Sequence, residues 1–300
     1  MAVSSPARRR SSPARRWAEW AVTAPSGLWL FVFFVIPTLA IFAFTFKPSD
    51  LYGGIGAGWT LDTLRSLSNP NYPAIIWRTV RLSVATTVGC LALAIPCGYA
   101  IARAKARWRQ LLLLLIIVPF WTSFLVRVFA WKALLHPNGS LKGFLVALRL
   151  VSPDTLLLYN ETAILMVMIY SYLPFAILPV YAAAEKFDFR LLEAARDLGA
   201  RPFRSFWSVF LPGIRRGLMT AVLVVFIPAL GSYVIPDIMG GASSEMIGNK
   251  IAQRTFSDRN LPHASGLSAF LTLGVLAPML LTLALQRRRG ETSPDPRGAS

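Results

Sequence analysis

The stretch Glu193–Pro212, EAARDLGARPFRSFWSVFLP, sits in a charged loop, residues 185–216, between two apolar runs. Its pattern predicts a short helix from Glu193 to Leu198, with Asp188 as N-cap and Gly199 as the C-terminal stop. Leu191, Ala195 and Leu198 share one face of that helix, so the piece is amphipathic. Pro202 suits the first turn of a second helix, and Pro212-Gly213 ends it before the next apolar run. A helix–turn–helix held between two membrane spans has little core of its own to fill. The small residues Ala194, Ala195 and Gly199 leave room for another surface to approach the backbone, which marks the segment as a docking knob.

On either side of this loop the composition is that of a membrane protein. The 300 residues are 55% hydrophobic and only 15% charged, far from the balance of a soluble domain. Six runs lack Asp, Glu, Lys and Arg altogether: Trp20–Phe46, Leu82–Ala102, Gln110–Val126, Thr162–Ala184, Gly217–Pro236 and Ala264–Gln286. About 20 such residues cross the hydrocarbon core, so each is read as a span. The third is the shortest, and Arg127 at its end is placed to snorkel. The expected architecture is therefore an all-α, polytopic membrane protein with six transmembrane helices over residues 20–286. A disordered, basic cytoplasmic tail is expected at 1–19 and a second cytoplasmic tail at 287–300. The first run is too long for a signal-peptide core and reads as a retained anchor. The glycine run Gly53–Gly58 reads as a flexible outer loop, and 127–161 as a loop holding a short interfacial helix.

The net charge of +17 raises nucleic-acid binding, and its distribution answers the question. With the N-terminus inside, twenty of the 31 Lys and Arg fall on inner segments, ten fall on outer ones, and Arg81 lies at a span edge. That excess is the positive-inside pattern, which puts both termini and the 185–216 loop in the cytoplasm. No nucleic-acid partner is expected. Cys90 and Cys97 lie seven helical residues apart, about 10 Å along the axis and beyond disulfide reach, and read as packing residues.

The Glu193–Pro212 run resembles the cytoplasmic coupling loop of ABC importer permeases, whose pattern is E-A-A, three residues, G, nine residues, I, one residue, L-P. Glu193, Ala194, Ala195, Gly199, Leu211 and Pro212 match, and Val209 stands in the Ile position. The resemblance extends over about residues 28–286 to the permeases that import spermidine and putrescine. It runs through Pro119-Phe120-Trp121, Arg127, Leu173-Pro174-Phe175, Pro228-Ala229-Leu230-Gly231, Asp237-Ile238-Met239-Gly240-Gly241 and Ile247-Gly248-Asn249. It implies the type I importer permease fold in a bacterial inner membrane. It also implies docking of Glu193, Ala194, Ala195 and Gly199 on a dimeric ATPase, with Leu198 packing the knob and Leu211-Pro212 orienting the exit helix. An extracytoplasmic binding protein and a second, related permease in a heterodimer would be the other partners, besides membrane lipid; the sequence alone permits a homodimer.

A cation path calls for carboxylates and aromatic faces. Trp121, Tyr172, Phe175 and Tyr233 supply aromatic candidates, and Asp237 is the best-placed carboxylate, ahead of Glu161, Glu245 and Asp258. Pro228, Gly231 and Pro236 crowd the fifth span, directly after the docking loop, and are candidates for a gating hinge. The scarcity of carboxylates suits a neutral or anionic solute equally, so ferric iron, thiamine or a phosphonate stand as alternative solutes. A self-sufficient secondary transporter or channel predicts buried charges within the spans, and the runs contain none. His136 and His263 have no partners at metal spacing, and no phosphate-binding loop occurs. The reading is a non-catalytic subunit without metal or cofactor.

Overall fold

In the computed structural model, the described residues are 23–50, 53–68, 70–241 and 243–291, with side chains described as far as residue 276. Among them the structure is helical, with one isolated bridge between Ser49 and Ile55. It divides into two units, one ending at Leu67 and including Arg259–Gly274, the other made of Ser68–Asp258 and the residues from Val275 on. The expected tail at 1–19 lies outside the described residues. The last helix runs through Glu291, into the segment expected to be a tail from 287, and the residues after it lie outside the described ones.

In the first unit, helix α1, Thr23–Phe44, is strongly apolar and has no fully buried residue, as suits a helix sheathed in lipid. Helix α2, Asp62–Ser66, follows a loop whose Gly53, Gly54 and Gly58 all have positive φ. Two of its glycines meet Arg259: Gly54 N–H bonds Arg259 O at 2.8 Å, and a Cβ on Gly53 would stand 2.7 Å from Arg259 Cβ. The Lys47 ammonium also lies over the Trp59 ring, 4.4 Å from its centroid.

The second unit is built on three mutually packed helices: α3 (Asn71–Arg103), α7 (Glu161–Glu185) and α10 (Arg215–Leu230). Small residues set their spacing, as in membrane bundles generally. A Cβ on Gly98 would lie 2.8 Å from Val180 Cγ1, and one on Gly217 would lie 2.3 Å from Ala183 Cβ. Val167, Met168, Val180, Ala221 and Val225 are wholly buried between them. Helix α7 starts at a side-chain cap, Asn160 Oδ1 accepting from Ala163 N at 2.8 Å.

Three expected spans differ in outline. Helix α3 starts eleven residues before the apolar run that announced it, because Arg78 and Arg81 both pair with Glu161 and so need no aqueous loop. The run Gln110–Val126 is not one rod. Helix α4, Ala106–Ile117, tightens into a 3₁₀ turn over Val118–Trp121, where Pro119 can donate no hydrogen bond. The chain then turns by 90° into α5, Phe124–Leu135, followed by α6, Ser140–Ala147. Arg127 consequently does not cap a straight span; its guanidinium lies over the Phe120 ring at 4.8 Å. The fifth run also breaks: α10 ends at Leu230, and α11 covers only Val234–Met239. Among the described residues three helices can cross a membrane by length and composition, or up to five if each bent pair counts as one span. The count of six is thus not reproduced in full.

Candidate functional site

Two places carry the sequence-derived candidates. The first is the helix pair between α7 and α10. Helix α8, Arg190–Asp197, starts earlier than expected, with Asp188 Oδ1 accepting from Arg190 N at 3.0 Å. It ends as the sequence dictates. Gly199 has φ +85°, its N–H bonds Arg196 O at 2.8 Å, and Ala200 N–H bonds Ala195 O at 3.0 Å. This paired closure of the last turn needs a left-handed residue, which glycine adopts without strain. Helix α9, Pro202–Gly213, opens with Pro202 in its first turn and widens by one residue over Phe206–Phe210. Pro212-Gly213 then ends it, and α10 leaves at 72°.

The pair is anchored differently from expectation. Leu192, not Leu191, faces the bundle and is buried, together with Phe210 and Ile214. Leu198 packs nothing within the chain: it is 89% exposed. Glu193, Ala194 and Gly199 are exposed too, and Ala195 is half-buried. Around them Leu191, Phe203 and Trp207 also stand open. The pair therefore presents an apolar, small-residue surface outside the membrane runs.

The second place is a cleft of about 490 Å³ where the fifth run breaks. Tyr233, Pro236 and Asp237 line one side, and Glu245, Asn249, Gln253 and Phe256 the other. Asp237 is exposed in the first turn of α11 and has no side-chain partner among the described residues. The Glu245 carboxylate is held by Lys250 at 2.9 Å. Helix α12, Ile247–Ala252, closes this side. Gly248 allows its approach, since a Cβ there would meet Ser232 O at 2.5 Å. Asn249 fixes the arrangement twice, accepting from Met246 N at 3.2 Å and donating to Tyr233 O at 3.1 Å. Beside the cleft, burial pulls the Arg254 guanidinium down, but Tyr72 and Asp258 outweigh it and leave it raised and charged.

Of the other path candidates, none lines this cleft. Trp121 is 76% exposed, Phe175 stands edge-on to Phe120 at 5.2 Å, and Tyr172 donates to Pro228 O at 3.4 Å. Gly231 has φ −87°, which any residue adopts, although the helix does end there. Glu161 and Asp258 are committed to arginines. Sequence reasoning missed Asn249, Gln253 and Phe256; the only signal was Gly248-Asn249, noted as part of the resemblance and given no role.

The bundle with an exposed helix pair inserted between two packed helices is that of a transport permease, a class the family comparison shows. Residues 94–290 match the binding-protein-dependent transport system inner membrane component, and the chain belongs to that family. It is 36% identical to the spermidine/putrescine transport system permease protein PotB of Haemophilus influenzae, across 82% of this chain and 86% of that one. With the protein of the same name from Escherichia coli it shares 34%, across 84% and 92%. A bacterial alginate ABC transporter, solved in complex with a periplasmic protein bound to an alginate pentasaccharide, has the same fold in one chain. The TM-score is 0.67 at 17% identity, covering 94% of this chain and 98% of that one.

Proposed function

We propose that this chain is the membrane-spanning permease subunit of an ATP-driven importer, forming part of the path for spermidine or putrescine handed over by an extracytoplasmic binding protein. The observation that carries the reading is the open surface of α8 and α9. Leu191, Leu198, Phe203 and Trp207 lie outside the apolar runs and are exposed on the same helix pair as the small residues Ala194, Ala195 and Gly199. Large apolar side chains exposed together in water mark a protein contact. In this reading Glu193, Ala194, Ala195 and Gly199 meet the ATPase, Leu198 enters its surface, and Leu211-Pro212 sets the departure of α10. ATP hydrolysis belongs to that separate, dimeric ATPase. A second, related permease completes the path as a heterodimer.

The Lys and Arg distribution supports a cytoplasmic position for the helix pair and both termini of this inner-membrane protein. The polyamine assignment draws on the names of the relatives and on the cleft. Asp237 there offers an unpaired carboxylate beside the Tyr233 and Phe256 rings, the combination that holds an ammonium. Pro228, Gly231 and Pro236 act in this reading as the hinge at the cleft's inner edge. The experiment is uptake of radiolabelled spermidine and putrescine by cells carrying the complete system. Asp237→Asn is expected to lower uptake at limiting solute about tenfold, the scale of one charge-assisted hydrogen bond. Absence of polyamine uptake in wild type would overturn the solute assignment. Co-purification of the ATPase unchanged in Glu193→Ala and Leu198→Asp would overturn the docking assignment.

A further inference from the structure

Helices α7 and α10 are joined to the docking pair by the chain itself. Helix α3 reaches the pair only through side chains, and the contact is built from rings. Tyr99 of α3 stands edge-on to Phe189 at 5.9 Å, to Phe206 at 5.4 Å and to Phe210 at 5.0 Å. Phe187 closes the group, 5.5 Å from Phe189 and 5.3 Å from Phe210. One turn after Tyr99, Arg103 donates to the tyrosine hydroxyl at 2.7 Å and lies over the Phe189 ring at 5.9 Å. Edge-to-face rings resist sliding because the positive edge must stay over the negative face, and a packed interior leaves no room to slide.

The far end of α3 is tied as firmly, and to different elements. Thr79 Oγ1 accepts from Ile247 N at 2.9 Å, the first residue of α12. Arg78 Nη1 donates to Glu245 O at 3.2 Å, and its Nε pairs with Glu161 at 3.1 Å. Glu245 and Asn249 line the cleft. The 33 residues of α3 span about 50 Å, so one helix touches the docking pair at one end and the cleft wall at the other. Pro96 interrupts its ladder one turn before Tyr99, but Gly98 seats that turn directly on Val180 and Tyr181.

We infer that Tyr99, braced by Arg103, is the joint through which displacement of the docking pair is delivered to α3, and that α3 carries it to the α12 wall of the cleft. Tyr99 is a positioning residue: it touches neither ATPase nor solute. The inference rests on the docking assignment proposed above, and the experiment separates the two. Hydrogen exchange by mass spectrometry is measured on the complete transporter, with and without a non-hydrolysable ATP analogue. In wild type the analogue is expected to change exchange in peptides 190–205 and 243–257. In Tyr99→Ala the change at 190–205 persists and that at 243–257 shrinks on the order of tenfold. Tyr99→Leu, which keeps bulk without a ring edge, behaves as Tyr99→Ala at a wild-type melting temperature, and Tyr99→Phe stays within about twofold of wild type. Persistence of both changes in Tyr99→Ala and Tyr99→Leu overturns the inference. So does a wild-type change confined to 190–205, which leaves docking intact. No wild-type change at 190–205 overturns docking itself and the inference with it.

Discussion

Replacing Gly199 by alanine isolates the backbone term of the docking pair. The glycine has φ +85°, and a Cβ added there meets nothing within 4 Å. No clash contributes, so the whole cost is that of holding an L-residue in the left-handed region, about 1–2 kcal/mol. That cost falls on one local event, opening of the turn closed by Gly199 N–H to Arg196 O and Ala200 N–H to Ala195 O. At RT of about 0.6 kcal/mol it multiplies the open population about 5- to 30-fold. Hydrogen exchange on the purified subunit in detergent reads this directly. Peptides covering 190–205 are expected to exchange about 5- to 30-fold faster in Gly199→Ala, while peptides within α7 keep their rates. Gly199→Asn is expected to fall between, since asparagine tolerates this conformation better than other non-glycine residues. Equal rates in wild type and Gly199→Ala would refute the argument, because they would mean the positive φ costs nothing there.

Two further expectations concern the bundle. Gly217→Val places its Cβ against Ala183 Cβ and Pro179 O, at 2.3 and 2.7 Å, so α10 must move off α7. It should cost about 1–3 kcal/mol and lower the melting temperature in detergent, with Gly217→Ala milder. Asn160→Ala removes the cap on α7 and should cost about 1 kcal/mol, whereas Asn160→Asp, which keeps an acceptor, should melt close to wild type.

The sequence announced the punctuation of the docking pair correctly because that punctuation is local. Gly199, Pro202 and Pro212-Gly213 each act through their own backbone, and the structure stops, starts and turns the chain at those points. The anchor was misread for a long-range reason. Periodicity alone favoured Leu191 and Leu198, but the wall that buries a leucine here is built from Phe187, Phe189 and Phe210, so Leu192 is the one that faces it. Leu198 lies past the last helical residue, where a helical wheel no longer applies. The start of α3 was hidden similarly: a charge-free window excludes Arg78 and Arg81, whose shared partner Glu161 lies 80 residues beyond Arg81. The 90° turn at Thr122-Ser123 was invisible because every residue around it is uncharged, and apolar composition records depth without direction. Of the cleft, Tyr233, Pro236 and Asp237 were legible as neighbours in the chain. Of the opposite wall only Glu245 was a candidate, because Gly248 and Asn249 act through contacts with the Gly231–Tyr233 break.

That break has a consequence for anyone recombining such proteins. Sixteen residues carry α10 about 24 Å, short of the about 30 Å of a hydrocarbon core, so α10 alone does not make a full crossing. Two carbonyls at the break take side-chain donors from elsewhere in the chain: Pro228 O from Tyr172, and Tyr233 O from Asn249 in addition to Asp237 N–H. Residue 172, residues 228–233 and residues 246–249 are thus one inheritable cassette, scattered over three parts of the chain. A chimera that exchanges the cleft must carry all three together, since a seam drawn between them would separate these carbonyls from their side-chain donors.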